Sequence, residues 1–524
     1  MIAHREQLID SLIACRDWFD VAVRSFLYVR QKAVQEASLP EATFISAFID
    51  EGTSSTACNP NLPILHNLAY EVSCLVERQQ GGSIRFDDAL RDLIDMVRSI
   101  SLELFRNGAA NEAAIAWFLV LSIDSTYSRS CFAREHSSSQ PLNSWADADG
   151  IGVYFFCRDA CIEDALVSHG LERIPKGDFG SQLECLLFYD REDNVPLPVI
   201  RTLPQSMRRL HVTDDSQEFP RLRIGVCPFT SRSLCGSTPD APIELKHTVG
   251  SSLTVEYHES IDELFDFVVL PALLEAMRSG CQILVFPELI FAPFFHGRLA
   301  DALRDRGGAS SLMLVLAGST WDGERGQNCT YLYDGKGNLL GKYHKHEPYV
   351  TFEDSTEMRE ALLFPDEPDT LIDIPGLGRI MPAICKDVVI DGSTAQNLVK
   401  ALYPQLVCIP AMSGSIKRGF ESQLKLLAER RLTISCMANL CVMRQKHNAG
   451  ELGYVCVPAY RKDEPWRKQP EPYMESLPGG RSCSGCDGGA AESTFSCLDV
   501  IDIDYGDEKK GLCPSVCVKK HKLN

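Results

Sequence analysis

The stretch Leu377-Gly-Arg-Ile-Met-Pro-Ala-Ile-Cys-Lys-Asp-Val-Val-Ile390 decides how the C-terminal part of the chain is interpreted. Gly378 predicts a break, and residues 379–384 predict a short buried strand that ends at Cys385. A thiol on a tight turn at the carboxyl end of an inner strand is where an open α/β sheet presents a nucleophile. Cysteine is also among the most buried residue types, and the chain has 21 of them. The role of Cys385 therefore depends on partners elsewhere in the sequence.

Two further candidates lie at predicted strand ends upstream. Glu288 ends the apolar run Cys281-Gln-Ile-Leu-Val-Phe-Pro-Glu288, and more apolar residues follow it, which is unusual for a solvated acid. Lys345 ends the second arm of a hairpin predicted around the turn Asp334-Gly-Lys-Gly337. Taken singly, Glu288 could be a helix-capping carboxylate and Lys345 an exposed surface lysine.

The three pieces occur in a characteristic order: Pro-Glu after one strand, lysine after a Gly-rich hairpin, and Ala-Ile-Cys-x-Asp after another strand. Together they resemble the nitrilase superfamily of carbon–nitrogen hydrolases, over about residues 221–505. The resemblance implies an α/β fold, a four-layer αββα sandwich, with a Glu288-Lys345-Cys385 triad. Alternating strands and amphipathic helices from Arg221 onward independently predict a layered α/β domain.

The resemblance also implies a reaction, cleavage of a non-peptide C–N bond in an amide-type small molecule. Glu288 would take the thiol proton, Cys385 would attack the carbonyl carbon, and Lys345 would stabilise the oxyanion. The backbone N–H of Lys386 would complete the oxyanion hole. The departing amine leaves a thioester that water hydrolyses, so this chemistry requires neither a metal nor an organic cofactor.

The positions around the triad leave several alternatives open. Glu353 is the candidate for the second glutamate that the family often places beside the lysine, and Glu357 is its rival. Lys386 stands where the family very often has tyrosine, and the following run Val388-Val-Ile-Asp391 also departs from the family pattern. A non-catalytic or conditionally active module in a regulatory or defence assembly, and an N-acyltransferase using the same thioester, therefore remain alternative functions.

Composition restricts the partners. The formal net charge of −19 argues against nucleic acid or an anionic membrane as the main partner. Charged residues interrupt the N-terminus where a signal peptide would need an apolar run, and no apolar run is long enough to span a bilayer. These features predict a cytoplasmic protein with reduced thiols. The resemblance implies a homo-oligomer.

The N-terminal third has a different character. Apolar spacing predicts helices over residues 2–37, 62–79, 86–106 and 111–123, and this part resembles no family that we recognise. The polar segment 212–220 predicts a boundary, so that residues 1–215 form a mainly helical domain that could bind a protein partner. Residues 216–510 are then predicted to form the hydrolase domain and residues 511–524 a tail.

The tail region carries paired cysteines, Cys483-x-x-Cys486 and Cys513-x-x-x-Cys517, with Cys497 between them and His521 beyond. Such pairs can hold a structural zinc ion. Because the chain is cysteine-rich throughout, unrelated thiols are the favoured interpretation, and no metal ligand is assigned.

Overall fold

The protein is described from a computed structural model. It describes residues 2–35, 62–106, 112–129, 150–155, 183, 185–191, 195–203, 221–230, 235–236, 242–248, 252–306, 310–353, 355–413, 419–440, 451–461, 470–478, 495–504 and 512–523. The described residues up to 191 fall into one compact unit, and those from 195 onward fall into a second. Both helices and several sheets are present, so the fold contains mixed α and β structure.

The first unit contains helices and one antiparallel pair of strands. In the described residues its elements are α1 Ile2–Ile13, α2 Trp18–Gln35, α3 Leu62–Gln80, α4 Phe86–Arg106, α5 Glu112–Arg129, β1 Ile151–Phe155 and β2 Leu186–Asp190. A single buried cluster draws apolar residues from all five helices and from both strands. The carboxylate of Asp124 in α5 accepts hydrogen bonds from the backbone N–H groups of Cys185 and Leu186, which ties β2 to the helices.

The helix predicted over residues 2–37 is two helices in the structure, separated by a turn at residues 14–17. Asp17 accepts a hydrogen bond from the N–H of Asp20 at 2.8 Å, and Asp20 accepts one from the N–H of Arg16 at 3.0 Å. Asp17 thereby caps the start of α2. The N–H groups in the first turn of a helix have no acceptor within the helix, and the Asp17 carboxylate supplies one. Apolar spacing alone did not reveal this capping aspartate.

The second unit is built mainly from strands. In chain order these are β3 Val199–Thr202, β4 Arg221–Val226, β5 Phe229–Thr230, β6 Cys235–Gly236, β7 Ile243–Thr248, β8 Ser252–Tyr257, β9 Ile283–Val285, β10 Leu314–Leu316, β11 Thr320–Asp322, β12 Gln327–Asp334, β13 Leu339–His344, β14 Val350–Glu353, β15 Thr356–Glu360, β16 Thr370–Ile374, β17 Gly378–Pro382, β18 Leu406–Ala411, β19 Ile434–Asn439, β20 Glu451–Arg461, β21 Glu471–Pro478, β22 Phe495–Asp504, β23 Leu512–Cys513 and β24 Ser515–Lys522.

The helical segments of the second unit connect these strands. After short turns at Glu259–Ile261 and Asp262–Leu264, a π-helical turn at Phe265–Val269 leads into α6. The α-helices are α6 Leu270–Arg278, α7 Phe295–Arg306, α8 Thr394–Leu402 and α9 Phe420–Arg431. Of the described helices, none is long and apolar enough to cross a membrane.

Three sheets result from these strands. The nine-stranded sheet has the order β11-β12-β10-β9-β4-β22-β24, with β13 added to β12 and β5 to β22. The eight-stranded sheet has the order β21-β20-β19-β18-β17-β16-β3, with β23 added to β20. A smaller five-stranded sheet has the order β14-β15-β8-β7-β6. The predicted hairpin around Asp334-Gly-Lys-Gly337 is confirmed as β12 and β13.

The two large sheets share a buried core. One apolar cluster combines Ile224 and Val285 of the nine-stranded sheet with Ile380, Cys408 and Ile434 of the eight-stranded sheet. A second cluster packs the π-helical turn, α6 and α7 against the other side of β9, β10 and β22. The end of β9, which precedes Glu288, is therefore fixed by packing on both sides of the nine-stranded sheet, and the end of β17, which precedes Cys385, is fixed by the core that the two sheets share.

The division between the units differs from the predicted boundary at residue 215. Residues 199–202, predicted to belong to the N-terminal domain, pair in parallel with β16 and so extend the eight-stranded sheet of the second unit. The predicted tail 511–524 likewise contains β24, which pairs along its length with β22. The predicted domain boundary followed the polar segment 212–220, and the resemblance ended at about residue 505. Both β3 and β24 lie beyond these limits, so they were left out of the predicted hydrolase domain.

Asp499 in β22 predicts a pH dependence of stability. Its side chain is fully buried, and neither carboxylate oxygen accepts a hydrogen bond from the described residues. Burial raises the pKa of Asp499 to about 6, although the charges of Lys520 and His521 oppose this change. As the pH rises, the unfolded chain releases this proton before the folded protein does. Folding stability therefore falls by about 1.4 kcal/mol for each pH unit between the unfolded and the folded pKa.

We expect Asp499→Asn to be more stable than the wild type at pH values of about 8, by about 2–3 kcal/mol, and equally stable near about pH 4. Urea unfolding at both pH values measures the difference. Asp391→Asn, on an exposed turn, is the control and should follow the wild type. An Asp499→Asn protein with the same pH dependence as the wild type would contradict the assignment.

Candidate active site

Cys385 lies on a constrained turn directly after β17. The residue has φ of 49°, in the left-handed region, and it opens the single 3-10 turn Cys385–Val388. A non-glycine residue in this region costs free energy and persists only where its surroundings enforce it. The side chain is only 3% exposed, and its Sγ lies 4.0 Å from the carbonyl oxygen of Met412. The turn thus presents a thiol that is covered by protein.

Asp387 fixes this turn to the segment that follows β13. One carboxylate oxygen accepts a hydrogen bond from the N–H of Ile384 at 3.2 Å. The other accepts from the N–H groups of His346 at 3.1 Å and Glu347 at 2.8 Å. The same buried side chain therefore holds the residue before the cysteine and the residues after Lys345 in one arrangement.

Lys345 follows β13, and its ammonium is buried between two carboxylates. Its Nζ donates to Glu288 Oε1 at 2.8 Å and to Glu360 Oε2 at 2.6 Å. Burial alone would lower the pKa of Lys345, but the charges of Glu288 and Glu360 outweigh it and raise the pKa well above its usual value. Lys345 is therefore a fixed cation and cannot serve as a base at neutral pH.

Glu288 lies on the turn after β9. Its Oε1 also accepts from Asn328 Nδ2 at 3.0 Å, and its Oε2 accepts from the backbone N–H of Met412 at 2.8 Å. Gly318 allows this turn to form, because a Cβ at that position would lie 2.2 Å from the carbonyl oxygen of Pro287. The backbone between β10 and β11 thus passes close to the residue before Glu288.

Glu360, at the end of β15, completes the charged cluster. Its Oε1 accepts from Asn328 Nδ2 at 3.0 Å, and its Oε2 accepts from the backbone N–H of Tyr349 at 2.8 Å. The Asn328 amide therefore bridges the two glutamates that flank Lys345. Two carboxylates around one ammonium give the buried cluster an excess of negative charge.

This electrostatic environment determines where the protons reside. Burial, together with the negative charge of Glu360, raises the pKa of Glu288 despite the opposing ammonium of Lys345. Burial and the charge of Glu288 raise the pKa of Cys385, although the ammonium of Lys345 opposes this change. Cys385 is consequently a protonated thiol at rest, and the carboxylate beside it is basic enough to accept its proton.

A second buried network surrounds the lysine segment. Asp369 lies 2.9 Å from His344 Nδ1 and 2.6 Å from His346 Nε2, through its two carboxylate oxygens. Burial would raise the pKa of Asp369, but the two imidazoles outweigh it and lower the pKa, so the carboxylate is ionised. The histidines on either side of Lys345 are thereby anchored to one acid, which restrains the lysine between them.

The structure brings the three predicted catalytic residues together. Glu288, Lys345 and Cys385 line one cavity, with Glu360 beside them. The predicted supporting residue Lys386 is half-buried, and its ammonium lies 5.5 Å from the centre of the Tyr349 ring. Tyr349 itself lines the cavity. The side chain of Lys386 thus contacts a wall residue of the cavity.

The second glutamate at Lys345 is Glu360, which the sequence analysis did not name. The side chain of Glu353 lies outside the described residues, and Glu357 is exposed on β15. Glu353 pairs with Thr356 where β14 turns into β15, whereas Glu360 lies at the other end of that hairpin. The local signal in the sequence is that Glu360 lies two residues after the apolar Met358, and residues two apart in a strand share one face.

The zinc hypothesis remains a prediction. Cys483 and Cys486 lie outside the described residues, as do the side chains of Cys497 and Cys513. Within the described parts of the chain, no three His, Cys, Asp or Glu side chains are grouped to hold a metal ion. His521 contacts Glu275 instead, with Nδ1 2.9 Å from Oε1.

Asp387→Ala should destabilise the protein by about 3 kcal/mol, because three backbone N–H groups lose their acceptor in a buried site. Urea unfolding measures the loss of stability. The rate of Cys385 alkylation by iodoacetamide shows whether the turn Cys385–Val388 has changed. Asp391→Ala, four residues along at an exposed position, is the matched control and should change neither quantity. Equal stability of the two variants would show that Asp387 does not hold the turn.

Comparisons with known proteins add the following. No protein-family model matches the sequence, and no curated protein is significantly similar to it. A solved variant of an amidase from Nesterenkonia AN1, of the nitrilase superfamily, matches 49% of this chain and 92% of its own with 18% identity and a TM-score of 0.33. The NitFhit protein of C. elegans matches 49% of this chain and 61% of its own with 14% identity and a TM-score of 0.33.

A further solved variant of the Nesterenkonia amidase carries acrylamide added to its active-site cysteine. It is 18% identical, with a TM-score of 0.32, and covers 48% of this chain and 91% of its own. The similar structures are thus nitrilase-superfamily amidases and NitFhit, which match about half of the chain. At these TM-scores the likeness carries no weight for the chemistry of this chain, which rests on the geometry of its own residues.

Proposed function

We propose that the second unit is a cysteine-dependent hydrolase of a non-peptide C–N bond, folded as a four-layer αββα sandwich of the nitrilase type. In the same proposal the first unit is a mainly helical domain that precedes it. The observation that supports the enzyme most strongly is the buried ammonium of Lys345 between Glu288 and Glu360, in a cavity that the Cys385 thiol also lines. Such a cluster combines a nucleophile, a proton acceptor and a fixed cation in one place.

The first half of the reaction follows from these positions. The Cys385 sulfur bonds to the carbonyl carbon of the amide, and Glu288 takes the thiol proton during the attack. The carbonyl oxygen becomes an oxyanion, which is stabilised by the ammonium of Lys345 and by the backbone N–H of Lys386. An ammonium has three donors, and two are used by Glu288 and Glu360, so one is available for the oxyanion.

Collapse of this intermediate breaks the C–N bond and gives the thioester. Glu288 returns its proton to the leaving nitrogen, which departs as ammonia or an amine. Water then adds to the thioester carbon while Glu288 accepts a proton from it, and the same cation stabilises the second oxyanion. Release of the Cys385 sulfur, with return of the proton, yields the carboxylic acid and the resting thiol.

Glu360 has a different task from Glu288. Its carboxylate holds the second N–H of Lys345, and its negative charge helps to raise the pKa values of both Lys345 and Glu288. It thereby keeps the lysine charged and makes the neighbouring acid a stronger base. Removal of Glu360 should therefore weaken proton transfer without removing the nucleophile.

We expect the wild type to release ammonia from a panel of small primary amides, and Cys385→Ala to release none. Glu288→Gln should lower kcat by about 100-fold or more, because general-base catalysis is lost. Glu360→Gln should give a smaller loss. Cys281→Ala, which removes another fully buried thiol of the same unit, is the control and should retain activity.

The same experiment separates the alternative functions. If the wild type and Cys385→Ala are equally inert on every amide, the non-catalytic module is favoured over the enzyme. Addition of hydroxylamine to the reaction tests for acyl transfer, since a thioester intercepted by an amine yields a hydroxamate at the expense of the acid. Homo-oligomer formation and binding of a protein partner through the first unit remain separate proposals.

A further inference from the structure

Apart from Glu288, Lys345, Cys385 and Glu360, most residues that line the cavity are apolar, and four of the lining residues, Leu245, Leu253, Thr254 and Val255, come from the hairpin β7–β8. Leu253 and Val255 project from the same face of β8, and Leu245 of β7 is the cross-strand partner of Val255. All three line the cavity, together with Leu289 and Met412. We infer that these hairpin side chains determine specificity, and that the site accepts neutral amides with a short apolar acyl chain. This inference rests on the proposed function.

Charge supports the exclusion of anionic substrates. Of the described residues that line the cavity, the charged ones are Glu288, Lys345 and Glu360. Lys345, the one cation among the described lining residues, is already shared by both carboxylates, so a substrate carboxylate would face two like charges there. Burying an unpaired charge against leucine and valine side chains is strongly unfavourable.

A cationic substrate meets a different obstacle. The carboxylates of Glu288 and Glu360 are occupied by the ammonium of Lys345, the Asn328 amide and backbone N–H groups. A substrate ammonium on the acyl chain would lie toward the hairpin, where the described lining offers it the hydroxyls of Thr254 and Tyr349 but no carboxylate other than Glu288 and Glu360. Loss of its hydration would therefore not be compensated by a free carboxylate.

The hairpin is also joined to the catalytic cluster through the backbone. Leu253 is the register partner of Glu360 in the parallel pair β8–β15, and the N–H of Ala361 donates to the carbonyl oxygen of Leu253 at 3.0 Å. The wall and the second glutamate are thus parts of one small sheet. Leu245 lies one strand further away, on β7, so it can be shortened without a change in the strand that pairs with Glu360.

The decisive test compares substrates of equal shape and different charge. 4-Methylpentanamide carries a neutral isopropyl group where succinamate carries a carboxylate. Butyramide carries a methyl group where β-alaninamide carries an ammonium. We expect the neutral member of each pair to be hydrolysed by the wild type with kcat/KM about 100-fold higher or more. Equal or faster hydrolysis of succinamate or of β-alaninamide would overturn the inference while leaving the proposed hydrolase intact.

A second arm tests the hairpin itself over a series of unbranched amides from propionamide to hexanamide. Leu245→Ala should move the optimum toward longer chains, with kcat/KM for the longest amide raised about tenfold relative to propionamide. Lys246→Ala, on the next position of β7 and outside the cavity lining, is the matched control and should keep the wild-type profile. An unchanged profile for Leu245→Ala would overturn the role of the hairpin.

The outcomes also separate this inference from the function on which it rests. If the wild type hydrolyses no amide of either series and forms no acyl-enzyme, the proposed function fails and the inference fails with it. If the wild type is active and Leu245→Ala does not fold, the charge comparison on the wild type alone still decides whether the wall selects neutral substrates.

Discussion

The ammonium of Lys345, buried between Glu288 and Glu360, is the interaction on which the rest of the site depends. Removing charges from water costs several kcal/mol per ion, and only close partners can offset that cost. Here the offset comes from two carboxylates, the bridging Asn328 amide and backbone N–H groups of Tyr349 and Met412. Each member is therefore needed by the others. Burial, together with the charge of Glu288, raises the pKa of Cys385 and so keeps its thiol protonated until a substrate arrives.

The fold supplies this cluster from three sheets. Glu288 and Lys345 follow β9 and β13 of the nine-stranded sheet, Cys385 follows β17 of the eight-stranded sheet, and Glu360 ends β15 of the five-stranded sheet. The shared core of the two large sheets fixes the first three positions. Asp387 then joins the cysteine turn to the lysine segment, and the N–H of Met412 joins β18 to Glu288. Packing of the sheets thus positions the strand ends, and a few buried hydrogen bonds position the side chains of the cluster relative to one another.

The sequence predicted part of this arrangement for identifiable reasons. Glu288, Lys345 and Cys385 each follow a strand whose apolar residues or Gly-rich turn can be recognised locally. Glu360 was missed because β14 and β15 carry few apolar residues, and an acid in such a polar stretch ordinarily faces solvent. The contacts of Asp369 with His344 and His346 were missed because they join residues far apart in the chain, whose proximity depends on tertiary packing.

The departures downstream of the cysteine have a structural counterpart. Lys386 contacts the ring of Tyr349 rather than the charged cluster, so it belongs beside a wall of the cavity and not to the proposed triad. The hairpin β7–β8 likewise forms part of the cavity wall, and the sequence analysis assigned it no role. The residues that would choose the substrate are therefore distinct from those that would perform the chemistry.

The central claim is that Cys385 forms a covalent thioester in this cluster, and intact-protein mass spectrometry tests it most directly. After rapid acid quenching of the wild type during turnover of a short amide, we expect a mass increase equal to the acyl group, mapped to the peptide that contains Cys385 and absent from Cys385→Ala. Turnover without any such adduct on the wild type or on the slow Glu360→Gln variant, or an adduct on another cysteine, would contradict the claim.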